Sequence, residues 1–190
     1  MRVAFGMKAH SGWAALVVLG ERGGEPQVVE RSRMELVEGA DASWAKQPYH
    51  AALRLSASDA PGLVARGQRS AHRIAVREMR AAVRRVRGAG HEIAACAVLV
   101  VDPMPEWTVD EILAVHFRMH KAEGALFRDA LSRAASACGL RFVGIHEKRL
   151  DERAERATVA SLGKSVGPPW GKDQKDASLA AMIALRGHVR

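Results

Sequence analysis

Long apolar runs and cysteines are scarce in this 190-residue sequence. The longest uninterrupted apolar run covers residues 93–101, which is too short to cross a bilayer, so the sequence predicts no transmembrane helix and no membrane partner. Residues 13–19 are followed by glycines and charges rather than by a small-residue cleavage site, so they predict a strand and not a signal peptide. The two cysteines, Cys96 and Cys138, lack metal-ligand spacing and indicate a reducing, cytoplasmic location.

Aromatic residues and lysines are also few. Aromatics make up 5% of the chain, and lysine supplies only 7 of the 29 basic residues, which outnumber the 21 acidic residues and give a formal net charge of +8. The hydrophobic fraction of 48% is typical of a folded domain and excludes global disorder. Because an arginine-rich composition also follows from genome composition, the position of the positive charge says more about function than its total.

Turn residues and apolar periodicity predict an α/β chain. The predicted strands cover residues 3–6, 14–19, 27–37, 93–101 and 140–145. The predicted helices cover about 71–88, 109–138, 151–162 and 173–186, with a short helix at 47–55 and a loop at 56–62. Three antiparallel strands followed by βαβ crossovers predict a mixed sheet with helices on both faces. We expect one domain over 1–190, with a candidate insertion at 38–64.

Five segments of the chain are distinctive in their order and spacing. They are VAFGMKAHSGWAALVV (3–18), AVLVVD (97–102), HKAEGALF (120–127), LRFVGI (140–145) and KDQKDASLAAMIAL (172–185). Together they resemble the RuvC-type Holliday-junction resolvase branch of the ribonuclease H-like superfamily. The resemblance implies a three-layer ribonuclease H-like fold with a five-stranded mixed sheet, binding of structured DNA, and a homodimer.

The resemblance also implies a catalytic centre in which acids hold divalent metals that activate water against a phosphodiester. The matching acids are Asp102, Asp173 and Asp176, and all-oxygen ligands of this kind suit Mg²⁺ or Mn²⁺. The acid of the first strand, however, falls at Lys8, and no Asp or Glu occurs among residues 1–20. We therefore expect the Lys8 ammonium to occupy the place of a metal and to pair with these acids, leaving a degenerate catalytic centre.

Simpler interpretations of these acids stay open. Asp173 and Asp176 stand at N-cap and N3 spacing, where capping alone would explain them, and Asp102 before Pro103 would merely end a strand. In the alternative of an active endonuclease, another acid such as Glu123 replaces the missing one. His116, His120 and Glu123 share a helix face at i, i+4 and i+7, and we favour packing or surface roles for them over a metal site.

Arginines form the most distinctive charge pattern of the chain. They step by three or four residues at positions Arg66, Arg69, Arg73, Arg77, Arg80, Arg84 and Arg87. If one helix carries them all, they make a stripe opposite its apolar face, and seven aligned like charges repel one another. Guanidinium groups bind phosphates bidentately, so a nucleic-acid backbone bound along the stripe would relieve that repulsion. We expect the stripe to place such a backbone near Asp102, Asp173 and Asp176. An ordinary solvated helix explains the stripe about as well.

The sequence thus predicts a RuvC-like nucleic-acid-binding protein with a degenerate metal-nuclease site. Two alternatives remain: an active Mg²⁺-dependent endonuclease that cuts branched DNA, and a non-catalytic domain whose arginine helix docks an acidic protein partner. Metal-dependent cleavage separates the first alternative from the main hypothesis. Salt-sensitive binding to nucleic acid separates the second.

Overall fold

The computed structural model describes residues 1–39, 42–150 and 156–187. Its strands are β1 (Arg2–His10), β2 (Trp13–Arg22), β3 (Glu25–Glu35), β4 (Glu92–Val100) and β5 (Phe142–His146). They form one sheet in the order β3-β2-β1-β4-β5. The first three strands pair antiparallel, whereas β4 pairs parallel with both β1 and β5. This is the predicted mixed five-stranded sheet.

Helices cover both faces of the sheet. They are α1 (Ala42–Ala45), α2 (Pro48–Ala52), α3 (Ala60–Gly88), α4 (Val109–Leu113), α5 (His116–Ala137), α6 (Arg156–Val166) and α7 (Lys172–Arg186), with a short 3₁₀ helix at Glu147–Leu150 after β5. The layer of α2, α3, α4 and α5 buries the larger core, while α6 and α7 bury the smaller one on the opposite face. Among the helices of the described ranges, none is both long and apolar enough to cross a bilayer.

Several element boundaries differ from the predictions. Strand β1 continues to His10 instead of ending near Gly6, because residues 7–10 pair with β2. Helix α3 begins at Ala60, since Pro61 fits the first turn of a helix, where its missing N–H is not needed. The helix predicted from residue 109 breaks at Val115, which is extended at φ −135°. Residues 151–155, the start of another predicted helix, lie outside the described residues.

Helix α7 lies unusually close to the backbone of β1. A Cβ atom at Gly6 would overlap the carbonyl oxygen of Ala177 and lie 2.9 Å from the backbone nitrogen of Ala181. Ala177, Ala180 and Ala181 are fully buried, so α7 presents small residues to the strand. Glycine in β1 and alanines in α7 therefore let the helix sit directly over β1, which sets the position of the acids in its first two turns.

Candidate functional site

Strand β1 places Lys8 on the face of the sheet that α7 covers. Side chains alternate between the two faces of a strand, and Phe5, Met7 and Ala9 belong to the core under α3 and α5. Lys8 therefore faces the opposite layer, with only 8% of the residue exposed. It is neither a loop residue nor a solvated lysine, because the strand extends past it and pairs it with Ala15 of β2.

The Lys8 ammonium contacts two of the three predicted acids, both from α7. Its Nζ lies 2.6 Å from Oδ2 of Asp176 and 3.4 Å from Oδ1 of Asp173. Lys172, one turn before Asp176, donates a second hydrogen bond to the same Oδ2 atom at 2.5 Å. The Asp176 side chain is 9% exposed, whereas that of Lys172 is 79% exposed. A buried ion pair thus joins the middle of the sheet to α7, with one solvated lysine beside it.

The pKa directions follow from this arrangement. Burial alone would raise the pKa of Asp176, but the hydrogen bonds from Lys172 and Lys8 outweigh it and hold the pKa below its ordinary value. Burial likewise works to lower the pKa of Lys8, while Asp176, Asp173 and Glu147 together raise it above its ordinary value. Both partners are therefore charged over a wide range around neutral pH.

Two residues near Lys8 were not predicted. His10 follows Lys8 by two positions on the same strand face, and its Nε2 lies 3.1 Å from Oδ2 of Asp173. Glu147 comes directly after β5, pairs with Arg128 at 2.9 Å, and contributes to the raised pKa of Lys8. The alternation rule would have identified His10 had the predicted strand reached it. To predict Glu147 one would need to know that β4 and β5 pair in parallel, because this pairing brings the carboxyl end of β5 to this edge of the sheet.

Asp102 does not join the other predicted site residues, which corrects the expectation that it lies with them. Strand β4 ends at Val100, and the chain leaves the sheet before Pro103, which disfavours helical backbone at Asp102. The Asp102 side chain is 70% exposed and pairs with Lys148 at 3.2 Å, with His146 at 3.5 Å. The hydrogen bond from Lys148 lowers its pKa. Asp102 is thus a solvated carboxylate at the same edge of the sheet.

The capping interpretation fails for Asp176. The N-cap of α7 is Gly171, whose N–H donates to Oε1 of Gln174 at 2.9 Å. Asp173 therefore lies inside the first turn, where an acid is favourable, and Asp176 lies in the second turn, beyond the free amides. The position of Asp176 is explained by its contacts with Lys8 and Lys172 and not by helix capping.

Glu123 does not replace the missing acid of the first strand. It lies on α5, in the layer opposite α7, and its buried carboxylate accepts hydrogen bonds from the backbone N–H and the ring Nδ1 of His50. The five-stranded sheet separates Glu123 from Lys8. The suggestion that Glu123 completes an acidic metal centre with Asp173 and Asp176 is therefore wrong.

The residues around Lys8 do not fit a Mg²⁺ or Mn²⁺ ion. Divalent cations of this type need several oxygen ligands around one point. Here the ammonium of Lys8 occupies the space between the carboxylates of Asp173 and Asp176, and Asp102 points elsewhere. A divalent ion at that point would face a unit positive charge, with a repulsion of about 4 kcal/mol per unit of ion charge at 4 Å and an effective dielectric near 20.

Helix α3 carries all seven predicted arginines on one exposed face. At 3.6 residues per turn they span about 80° of arc, and each is exposed in the structure. The apolar residues of α3 face the sheet on the other side of the helix. Because α3 begins at Ala60, even the early members Arg66 and Arg69 lie on the same helix. We call this surface, defined by the seven residues named above, the arginine face.

Several arginines find partners that the sequence did not reveal. Glu38 pairs with Arg73 at 3.2 Å and with Arg77 at 2.5 Å, so acids outside α3 partly neutralise the arginine face. The guanidinium of Arg66 lies 4.5 Å from the centre of the Trp44 ring. Within residues 1–39, 42–150 and 156–187, no hydrogen bond, ion pair or ring contact engages the side chains of three other members, which are Arg69, Arg84 and Arg87.

The arginine face is not adjacent to the Lys8 pair. Helix α3 packs on the face of the sheet opposite α7, so a backbone bound along α3 does not lie over Asp173 and Asp176 as expected. Two exposed lysines outside α3 contact the predicted acids: Lys172 on α7 bonds Asp176, and Lys148, whose side chain is 85% exposed, pairs with Asp102.

Solved structures of other proteins share this architecture. No protein-family model matches the sequence, and no curated protein matches it. The structure is similar to Thermus thermophilus RuvC in complex with a Holliday junction substrate, with 12% identity, a TM-score of 0.54, and coverage of 98% of this chain and 95% of that chain. It is also similar to another Thermus thermophilus RuvC structure, with 12% identity, a TM-score of 0.50, and coverage of 98% and 97%.

These likenesses confirm the fold that the five sequence segments indicated. The chain has the ribonuclease H-like three-layer fold, with its mixed five-stranded sheet. Its architecture is similar to that of the two RuvC structures over nearly the whole chain, at 12% sequence identity.

Proposed function

We propose that this chain is a RuvC-like protein that binds structured nucleic acid. Its centre around Lys8 is degenerate and does not cleave the nucleic acid. The observation that carries the proposal is the contact of the Lys8 ammonium with both Asp173 and Asp176. A positive charge fixed between the two acids performs the neutralisation that a metal performs in a nuclease centre, but it cannot activate water as a bound metal does. The acids therefore serve to hold α7 on the sheet.

The basic surfaces support binding to a phosphate backbone. One of the similar structures is a RuvC in complex with a Holliday junction substrate, which makes four-way DNA the first probe for this chain. Arg69, Arg84 and Arg87 are exposed and lack partners in the described parts of the chain, so they can bind phosphates without breaking an existing ion pair. Lys172 and Lys148 provide further exposed ammonium groups at the carboxyl edge of the sheet.

Binding of a labelled four-way junction, measured by fluorescence anisotropy at several salt concentrations, tests this part of the proposal. We expect log K to fall linearly with log salt, with a slope of about 0.9 for each phosphate neutralised. Replacing Arg69, Arg84 and Arg87 together with glutamine should weaken binding and reduce the slope by about 2–3. The matched control replaces Arg22, Arg54 and Lys164 with glutamine, because it removes the same charge from residues outside α3.

The outcome separates the three functional hypotheses. Equal losses in the two triple variants would show nonspecific attraction and contradict a role for the arginine face. Absence of salt-sensitive binding would favour the protein-interaction alternative. Metal-dependent cutting of the junction would favour the endonuclease, with Mg²⁺ or Mn²⁺ as its cofactor.

The degenerate centre is tested separately by Lys8→Asp. This substitution places three carboxylates around one point, so the variant should be destabilised without metal and should bind Mn²⁺, which electron paramagnetic resonance detects as loss of the free-ion signal. Lys8→Asn, which removes the ammonium without adding a carboxylate, is the control. If Lys8→Asp binds no more Mn²⁺ than the control does, Lys8 does not occupy the position of a metal.

A further inference from the structure

A cluster of three histidines lies in the layer opposite α7. His50 comes from α2, while His116 and His120 stand one turn apart at the start of α5. One ring nitrogen of each lies within 4.8 Å of those of the other two, and the Nε2 atoms of His116 and His120 are 2.9 Å apart. Packing alone does not require three imidazoles to converge at a partly exposed position, because the apolar core of this layer lies deeper, under α3 and α5.

The fold holds His50 in place from beneath. Tyr49 and Ala52 of α2 are buried in the core with 4% and 1% exposure, and the Tyr49 hydroxyl accepts a hydrogen bond from Gln68 of α3 at 3.2 Å. Helix α2 is thereby fixed against α3, and His50 projects toward α5. The segment 38–64, which the sequence left nearly without signal, thus delivers one member of the cluster.

Glu123 orients the His50 ring. Its carboxylate, 5% exposed, accepts from the backbone N–H of His50 at 3.1 Å and lies 2.8 Å from Nδ1 of the ring. A carboxylate at Nδ1 favours the tautomer with the proton on Nδ1, which leaves the lone pair of Nε2 free to bind a metal. Metal-bound histidines are commonly held in this way by a carboxylate on the other ring nitrogen.

We propose that His50, His116 and His120 bind a Zn²⁺ ion, with Glu123 as a positioning residue. Imidazole nitrogens suit zinc and similar divalent transition metals, and tetrahedral Zn²⁺ with bonds of about 2.0–2.1 Å places its ligand atoms about 3.3 Å apart. The described nitrogens reach that spacing by small changes in side-chain rotamers. His116 and His120 are exposed, so the fourth ligand position is open to water.

This site is independent of the proposed nucleic-acid function, because it shares no residue with the Lys8 pair or the arginine face. His120 also lines a surface cavity of about 400 Å³ together with Lys121, Arg128 and Lys148, so solvent and small anions reach the ion. Its ligands come from α2 and α5, and Zn²⁺ would therefore join the 38–64 segment to the helix that packs on the sheet.

Equilibrium dialysis of the full chain without a histidine tag against Zn²⁺, followed by elemental analysis, tests the proposal. We expect one Zn²⁺ per chain in the wild type and at least tenfold weaker binding in His116→Ala and in His120→Ala. Both histidines are exposed, so these variants keep the fold. His91→Gln, at the turn between α3 and β4, is the control and should bind as the wild type does.

Co²⁺ absorption separates the positioning role of Glu123 from a structural one. Glu123→Gln should weaken metal binding by about 10–100-fold and shift the visible band of bound Co²⁺. An unchanged affinity and an unchanged band would overturn the role of Glu123. Absence of stoichiometric Zn²⁺ in the wild type, or binding by His116→Ala and His120→Ala as tight as that of the wild type, would overturn the site.

Discussion

Replacing Lys8 with methionine removes the buried ammonium and leaves Asp176 with one cation. Two unit charges about 4 Å apart interact by about 4 kcal/mol at an effective dielectric near 20, and removing one member of a buried pair destabilises a protein by about 3–5 kcal/mol. The solvated Lys172 stays beside Asp176, which reduces the effect. We therefore expect Lys8→Met to lower the free energy of unfolding by about 2–3 kcal/mol.

Urea unfolding near pH 7, followed by circular dichroism, measures this change. A double-mutant cycle with Asp176→Asn isolates the coupling between the two side chains, which we expect to reach about 1–3 kcal/mol. Lys172→Met is the matched control, because it removes the exposed partner of the same carboxylate and should change stability by less than about 1 kcal/mol. A Lys8→Met protein as stable as the wild type, or a coupling near zero, would refute the reasoning.

Three further predictions concern the pair and the packing around it. Because the pKa of Asp176 is lowered in the fold, its contribution to stability is present above the unfolded-state pKa of about 4 and is lost as the pH falls through the folded-state pKa. Because the pKa of Lys8 is raised, its contribution is present below the unfolded-state pKa of 10.5 and is lost as the pH rises through the folded-state pKa. The stability difference between wild type and Lys8→Met should therefore be constant between about pH 5 and 10 and shrink outside that window in urea titrations; a difference independent of pH would contradict this. Gly6→Ala should destabilise the fold by about 1–3 kcal/mol, since the new methyl group meets the backbone of α7, whereas Gly62→Ala, which has open space, should be neutral or slightly stabilising in the same denaturation assay. Burial raises the pKa of the Cys96 thiol to about 12, so iodoacetamide near neutral pH should label the partly exposed Cys138 first, and equal labelling by peptide mass mapping would show that the core around Cys96 opens.

Strong local patterns account for the parts of the fold that the sequence predicted. The apolar run at 93–101 is bounded by glycine and proline and forms most of strand β4, between β1 and β5. The three- and four-residue spacing of apolar residues forms α3, with its arginines on the exposed side. The strand β1 was predicted too short because Lys8 and His10 interrupt its apolar pattern, and a polar residue that is buried through an ion pair looks the same in sequence as one in a loop.

The candidate site was predictable only where its members share one element or one family segment. The contact between Lys8 and the acids of α7 agrees with the segment order 3–18 and 172–185, although the two partners are far apart in sequence. Asp102 was misplaced because it lies two residues beyond the end of β4, where the chain has left the sheet and the side chain turns toward Lys148. His50 was missed because α2 is five residues long and its contact with Glu123 depends on tertiary packing, which no local spacing encodes.

In our proposal, the Lys8 ammonium stands where a nuclease centre would hold a metal. Incubation of the wild-type chain with an end-labelled four-way junction in excess Mg²⁺ or Mn²⁺, analysed on native and denaturing gels, tests it most directly. We predict a bound junction whose strands remain intact at every metal concentration. Metal-dependent nicks that disappear in Asp176→Asn would contradict it.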